Sequence, residues 1–132
     1  MKPCIKTLIG TMVIYYWNIT EVVKMGNRAV LCLRDNKRQR FSQQAVGIYV
    51  HWNGGEDSIA GFLQSTQEIM GDRLGDSAYG KARLIQHIGN FFGGNLSVGV
   101  DICKNLDCDN GNNGAYVIDC STMTVTGRKY NE

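Results

Sequence analysis

The sequence predicts an α+β domain in which a mostly antiparallel β-sheet carries two consecutive helices on one face. Segments near both ends of the chain alternate apolar and polar residues and are rich in β-branched and aromatic types, as half-buried strands are. Between residues 57 and 92 the apolar residues recur every three to four positions, as in amphipathic helices. The chain has 16 glycines and one proline, and glycine- and asparagine-rich stretches separate the segments as turns do.

The composition indicates a single globular domain. A length of 132 residues is close to the commonest domain size, and 43% hydrophobic with 20% charged residues argues against disorder. The net charge of +2 is too small to indicate a nucleic-acid-binding protein by itself. The five cysteines are odd in number and form no C-x-x-C motif. We therefore expect a reducing, cytoplasmic location and no disulfide framework.

The first apolar run extends from Leu8 to Trp17, after two early lysines, as in a signal peptide. It contains Thr11 and two tyrosines, no small-residue cleavage site follows it, and it is shorter than the ~20 residues of a membrane helix. We predict a β-strand here and no contact with a membrane.

Two further strands are predicted over residues 28–34 and 46–52. In the second of these, alternate side chains point to opposite faces of the sheet. One face would carry Val46, Ile48, Val50 and Trp52, and the other would carry Tyr49 and His51.

Two helices are predicted next. The first begins near Asp57, and its apolar stripe consists of Ile59, Phe62, Leu63, Thr66, Ile69 and Met70. Asp76 or Ser77 can cap the second helix, which Gly93 and Gly94 end. Its predicted apolar face consists of Ala78, Ala82, Ile85, Ile88, Gly89 and Phe92, with His87 on the opposite, exposed side.

The end of the chain returns to strands, over residues 96–102, 115–120 and 123–128, with a polar loop before the second of them. We expect residues 25–132 to form one α+β domain and residues 1–24 to be an N-terminal strand extension.

The segment "HWNGGEDS", residues 51–58, joins a strand to a helix and admits two interpretations. Two glycines before a helix N-terminus allow close approach of a ligand, Trp52 can stack on a base, and Asn53 can bond the polar edge of that base. However, Glu56 and Asp57 disfavour a phosphate at this helix start. The segment can equally be a sharp turn in which Trp52 belongs to the core.

A second candidate segment is "GNFFGGN", residues 89–95. Phe92 is predicted to be core, whereas Phe91 lies over ~100° from the centre of the apolar face and can serve as a stacking platform or an interface residue. Asn90 and Asn95 offer amide groups beside it. The complete set of candidate ligand-binding residues is Arg28, His51, Trp52, Asn53, Gly54, Phe91 and Asn95.

Metal sites find little support in the sequence. Asp107 and Asp109 lie in an asparagine-rich loop, but the calcium-binding spacing of an EF-hand is absent. A zinc site would have to draw on Cys103, Cys108, Cys120 and His51, whose spacing matches no zinc motif. We predict neither a metal nor another cofactor.

The only basic cluster is "RDNKRQR", residues 34–40, with Arg34, Lys37, Arg38 and Arg40. Such a cluster is typical of a solvated turn. Alternatively, it attracts phosphate on a nucleotide or a nucleic acid.

Catalytic motifs are absent: no G-x-S-x-G, H-E-x-x-H or P-loop occurs. His51 is the plausible general base of the two histidines. We do not expect an enzyme, and we name no catalytic residue.

Several segments, among them "MGNRAV" (25–30), "GIYVHWNGGEDSIAGFL" (47–63), "YGKARLIQHIGNFFGGNLSVGVD" (79–101) and "NLDCDNGNNGAYVI" (105–118), resemble small proteins of phages and prophages of Gram-positive bacteria. The similarity covers roughly residues 25–128. Such proteins often begin near "MGNRAV", which implies that residues 1–24 are an added strand. An unpaired strand is a ready contact with another subunit, so we expect a homo-oligomer.

The resemblance implies a role against bacterial immunity inside the host cytoplasm. The first hypothesis is that the protein sequesters a nucleotide-type signalling molecule. The alternative is an anti-CRISPR protein that binds and blocks a Cas effector, although a charge of +2 does not support mimicry of nucleic acid. A third hypothesis is a small nuclease or hydrolase that uses His51 with Asp101 or Asp119. The expected partner is thus a nucleotide-type small molecule or a host defence protein.

Overall fold

The computed structural model describes residues 6–9, 12–15, 26–94 and 97–131, and it confirms the α+β class. The helices are α1 (Glu56–Met70) and α2 (Ser77–Phe92). The strands are β1 (Lys6–Ile9), β2 (Met12–Tyr15), β3 (Ala29–Arg34), β4 (Val46–Val50), β5 (Val98–Ile102), β6 (Ala115–Asp119) and β7 (Thr124–Lys129).

The main sheet has five strands in the order β5-β4-β3-β6-β7. Three of its four pairings are antiparallel, as predicted, and the pairing of β3 with β6 is parallel. Antiparallel neighbours such as β6 and β7 are joined by a tight turn, whereas the parallel pair needs a long crossover. The chain between β3 and β6 contains β4, both helices and β5 in that order.

The main core lies between the sheet and the two helices. It contains the side chains on one face of β3, β4 and β6 together with the inner faces of α1 and α2. Its largest fully buried members are Tyr116, Leu31, Leu33, Ile48, Ile59, Leu84, Ile88, Ile118 and Met123.

Loops cover the opposite face of the sheet. A smaller buried cluster there includes Val30, Cys32, Cys103 and Ala115. Parts of the loops around residues 35–45 and 103–114 pack against it. We call this side the loop-covered face and the other side the helix-covered face.

The N-terminal prediction needs a correction. The run from Leu8 to Trp17 was predicted as one strand, but the chain instead forms the antiparallel hairpin β1–β2, in which Ile9 pairs with Met12. Residues 16–25, with Trp17 and Met25, lie outside the described residues. The expected role of residues 1–24 as a subunit contact stays a prediction.

The apolar face of α1 is confirmed at Ile59, Phe62, Leu63, Thr66 and Met70, whereas Ile69 is 48% exposed. For α2 the predicted face is confirmed at Ile88 and Phe92, which are buried, and Ile85 packs against the core. It is wrong at Ala78 and Ala82, which are exposed, and it missed the buried Gly80 and Leu84.

This difference has a physical cause at Gly80. A Cβ atom built on Gly80 would lie 2.8 Å from the backbone oxygen of Cys120, so the helix approaches the turn after β6 through this glycine. A pattern that counts only large apolar residues misses such a contact. No helix in the described ranges has the length and apolar character needed to cross a membrane.

Candidate functional site

The turn at residues 51–55 connects β4 to α1. β4 ends at Val50, and the backbone N–H of His51 donates to the carbonyl of Ser97 at 3.1 Å. Asn53 adopts a left-handed backbone conformation with φ of 60°, which asparagine tolerates better than most residues. This reversal directs the chain from the sheet edge into the first turn of α1.

Gly54 has a structural role in this turn. Its N–H donates to the carbonyl of Asn27 at 2.8 Å, and its own carbonyl accepts a hydrogen bond from the Tyr116 hydroxyl at 2.6 Å. An added Cβ would lie 2.5 Å from the Asn27 oxygen and 2.8 Å from the Ala29 Cβ. The glycine that sequence analysis assigned to ligand binding is thus buried, and no larger residue fits there without displacing its neighbours.

A cleft of about 320 Å³ opens beside this turn, between the first half of α1 and the last turns of α2. It brings together Asn53 and Phe91, two predicted ligand residues from distant segments of the chain. We call it the α1–α2 cleft. Its lining residues are Asn53, Ser58, Gly61, Phe62, Ser65, His87 and Phe91.

Aromatic rings form much of the cleft wall. The ring of Phe62 meets that of Phe91 edge to face, with centroids 5.1 Å apart, and that of His87 in the same manner at 6.1 Å. Phe62 is buried, which fixes its ring, whereas Phe91 is 59% exposed. A large apolar side chain held at a cleft mouth with most of its area in solvent is an available stacking surface.

The polar groups of the cleft are neutral amide and hydroxyl groups, with the His87 imidazole as the one titratable side chain in its lining. The Asn53 amide nitrogen lies 3.4 Å from the Ser58 hydroxyl oxygen, a long contact that a ligand can replace. No carboxylate, lysine or arginine is in this lining. The cleft is therefore suited to a planar, mostly apolar group with polar edges rather than to a phosphate.

His51 lies elsewhere. Its Nδ1 is 2.8 Å from the Tyr49 hydroxyl, and Tyr49 packs on the loop-covered face. Burial raises the pKa of Tyr49, and the tautomer of His51 decides which of the two groups donates this hydrogen bond. The imidazole also lies against Gly26, at whose position a Cβ would be 3.0 Å from Nε2.

Arg28 belongs to the loop-covered face as well. Its Nε donates to the Asn112 side chain at 2.8 Å, and its carbonyl accepts from Asn113. The arginine therefore anchors the 110–114 loop and does not line the α1–α2 cleft.

Trp52 is not core. The strand ends two residues before it, its side chain is 37% exposed, and its ring meets the edge of His51 at 5.0 Å. Asn95 lies outside the described residues. Of the seven predicted ligand residues, the structure thus brings Asn53 and Phe91 to one cleft and places Arg28, His51 and Gly54 in other contacts.

Sequence reasoning missed several residues of the cleft. His87 was expected on the exposed side of α2, but the true phase of that helix turns it toward Phe62. On α1, Ser58, Gly61 and Ser65 follow a spacing of three and four residues next to the apolar stripe. Small residues at helical spacing leave a groove, and this is the signal that could have identified the site.

The metal interpretations receive no support. Cys120 lies in the core under the helices, whereas Cys103 and Cys108 lie on the loop-covered face with Cys32. Among the residues that the structure describes, no three His, Cys, Asp or Glu side chains are grouped to hold an ion.

The asparagine-rich loop has a structural explanation instead. The buried Asn110 amide donates to the carbonyls of Asp107 and Gly114, and its oxygen accepts from the Gly114 N–H. One side chain thus closes the turn that was considered as a calcium loop.

The hydrolase hypothesis required His51 near Asp101 or Asp119. Val50, next to His51, pairs with Ala29, whereas Asp119 pairs with Arg34 at the other end of β3. Five residues of strand separate these positions, about 16 Å at ~3.3 Å per residue. Asp101 pairs with Gly47, about 13 Å along β4 from His51 by the same rise.

Comparison of the chain with protein-family models, with curated proteins and with solved structures gave no match.

Proposed function

We propose that this protein binds the aromatic base of a nucleotide-type molecule in the α1–α2 cleft and holds it without converting it. The observation that carries the proposal is the placement of the Asn53 amide and the exposed Phe91 ring in one cleft. Unstacked bases are recognised by stacking on aromatic side chains and by hydrogen bonds to their edges, and this cleft offers a group for each contact.

The size and polarity of the cleft support a base. Its volume of about 320 Å³ lies at the lower end of the ~300–1,000 Å³ of small-molecule sites. Because no charged side chain lines it, the base enters and the phosphates of the ligand stay at the solvent-exposed mouth. Ser58, Ser65 and His87 offer further groups that can bond the edge of the base.

The same lining supports the proposal of binding without turnover. A hydrolytic site needs a base next to a nucleophile and a third group that orients the base. His87 and the two serines line the cleft without a carboxylate. Together with the resemblance to phage proteins, this favours sequestration of a nucleotide signal of bacterial immunity in the host cytoplasm.

The test uses the full chain and calorimetric titration with a panel of linear and cyclic nucleotides. We expect one class to bind and to be recovered unchanged. Phe91→Ala should then weaken binding about tenfold or more, because base–aromatic stacking contributes ~1–3 kcal/mol.

A matched pair of glycine variants tests the location. A Cβ at either Gly61 or Gly89 meets no atom within 4 Å, and both lie within helices. Gly61→Leu fills the α1–α2 cleft and should abolish binding, whereas Gly89→Leu, outside its lining, should not. Equal effects of the two variants would place the ligand elsewhere.

If no nucleotide binds the folded wild-type protein, the proposal is wrong. The exposed Trp52 and Phe91 would then favour a protein partner, and capture of a Cas effector by the wild type but not by Phe91→Ala would support the anti-CRISPR alternative.

A further inference from the structure

The carboxyl ends of the parallel strands β3 and β6 meet at one edge of the sheet, far from the α1–α2 cleft. The loop after β3 and the turn after β6 line an open surface cavity of about 400 Å³ there. In open α/β sheets, ligands bind beyond the carboxyl ends of parallel strands, and the β3–β6 pair presents two such ends here. The cavity is lined by Asn36, Lys37, Arg38, Asp119, Ser121 and Thr122.

Asp119 is the buried polar residue of this cavity, with 1% of its surface exposed. Its Oδ1 accepts hydrogen bonds from the Ser121 N–H at 2.9 Å and from the Ser121 hydroxyl at 2.7 Å. Its Oδ2 is buried and has no hydrogen-bond partner among the described residues. Leaving a charged acceptor unpaired in this way costs stability, which a ligand with a donor would restore.

The ionisation state of Asp119 is clear from its surroundings. Burial raises the pKa of the carboxyl, but the hydrogen bonds from Ser121 and the polar groups of Thr122 outweigh burial and leave the pKa below its ordinary value. The carboxylate is therefore an acceptor at neutral pH and does not donate.

Two positive side chains line the same cavity without pairing with this acceptor. Lys37 and Arg38 line the cavity, and neither forms an ion pair with Asp119 in the described part of the chain. Arg34 pairs in register with Asp119 on the neighbouring strand. Its two Nη atoms donate to the Gln39 carbonyl and the Thr126 hydroxyl, and only its Nε is buried without a partner. Because paired residues on adjacent strands point to the same face, an unused donor and an unused acceptor occupy the same face at this edge.

We propose that this cavity binds a phosphate group that retains a proton. The anionic oxygens would accept from the side chains of Lys37 and Arg38, and the P–OH would donate to Oδ2 of Asp119. A carboxylate in an anion site repels a fully deprotonated oxyanion such as sulfate, so the site should select hydrogen phosphate. This inference is independent of the α1–α2 cleft, because Asp119 lies at the other end of the strands.

The experiment is calorimetric titration of the full chain with inorganic phosphate and with sulfate at equal ionic strength and neutral pH. We expect phosphate to bind at least tenfold more tightly than sulfate. Equal affinities, or no binding of phosphate by the folded protein, would overturn the proposal.

Substitution of the carboxylate sharpens the test. Asp119→Asn keeps an oxygen for the Ser121 bonds and replaces the acceptor by a donor, so the preference for phosphate should disappear and sulfate should bind. Asp72→Asn, which removes an exposed carboxylate outside the cavity lining, should preserve the preference. A preference for phosphate that survives in a folded Asp119→Asn protein would contradict the assigned role.

A surface variant covers the case in which Asp119→Asn does not fold. Lys37→Gln combined with Arg38→Gln removes two exposed cations and should weaken phosphate binding by tenfold or more. Titration with methyl phosphate, a monoester whose second pKa is ~6, tests the need for the proton. Binding at pH 5.5 but not at pH 7.5 supports the P–OH donor, and no binding at either pH restricts the site to the free ion. Tight binding of the dianion at pH 7.5 would contradict the proposal.

Discussion

At the scale of single residues, Asn53 combines a backbone role with a side-chain role. Its left-handed φ of 60° reverses the chain after β4, and its amide lines the α1–α2 cleft. A loss of binding on simple truncation could therefore come from either role. The two roles can be separated because glycine adopts the same backbone conformation without an amide.

We expect Asn53→Gly to fold with nearly wild-type stability and to lose nucleotide binding. Asn53→Ala should also lose binding, and its free energy of unfolding should be lower by about 1 kcal/mol, because the left-handed backbone conformation is unfavourable for alanine. Urea unfolding and ligand titration of both variants measure the two effects. If Asn53→Gly bound the nucleotide with wild-type affinity, the Asn53 amide would not be part of the binding site.

The sequence identified part of the site at this scale. Asn53 and Phe91 were predicted because an amide and an aromatic ring stand at positions that no core pattern requires. Arg28 and His51 were also predicted on residue type alone, and their contacts with Asn112 and Tyr49 depend on which strands are neighbours. Residue type indicates what a side chain can bind, but the fold decides what lies beside it.

At the scale of elements, the rotation of α2 about its axis determines which side chains line the cleft. The helix packs through Gly80, whose missing side chain lets it approach the Cys120 carbonyl. This contact turns His87 toward Phe62 and leaves Ala78 and Ala82 in solvent. The length of the helix and its Asp76 cap were predictable from local signals, whereas its rotation depends on a contact with the far end of the chain.

Two alanine variants on this helix test the role of close packing. Alanine favours a helix over glycine by ~1 kcal/mol, but at Gly80 the added methyl group meets a backbone oxygen at 2.8 Å. We expect Gly80→Ala to lower the free energy of unfolding by about 1–2 kcal/mol, since overpacking costs ~1–3 kcal/mol.

The control is Gly89→Ala, whose methyl group meets open space. It should be neutral or more stable than the wild type in urea unfolding followed by circular dichroism. A Gly80→Ala protein as stable as Gly89→Ala would show that the helix can shift without cost.

At the scale of the whole molecule, the stability should depend on acidic pH. A hydrogen bond from Lys81 holds the pKa of Asp35 below its ordinary value, and the Ser121 hydrogen bonds outweigh burial to do the same for Asp119. A carboxylate whose pKa is lower in the folded state stabilises the fold above its ordinary pKa of 3.8, and this contribution is lost as the pH falls through the folded-state pKa.

We therefore expect the free energy of unfolding to fall between about pH 5 and pH 2. Asp35→Asn should be less stable than the wild type at pH 7, because Lys81 loses its partner, and should show a shallower decrease with acid. Urea unfolding at several pH values measures both. The same pH dependence in the two proteins would contradict the assignment.

The fold class was predictable because the change from strand to helix periodicity is local in sequence. The parallel pairing of β3 with β6 was not predictable. No local signal in the sequence tells whether a strand pairs with the next strand along the chain or with one much later. With that pairing unknown, the cavity at Asp119 was also unknown, although its basic residues and its aspartate were both considered.

The same parallel pairing constrains the order of assembly during synthesis. β3 occupies the centre of the sheet, yet one of its two edges is completed by β6, which leaves the ribosome only after both helices and β5. Until then, the nascent chain can form the antiparallel β3–β4–β5 part with its helices, while the apolar β3 presents an open hydrogen-bonding edge. An open edge of this kind can pair with other chains, so the exposure of this central strand ends only when the β6–β7 hairpin arrives and pairs with it.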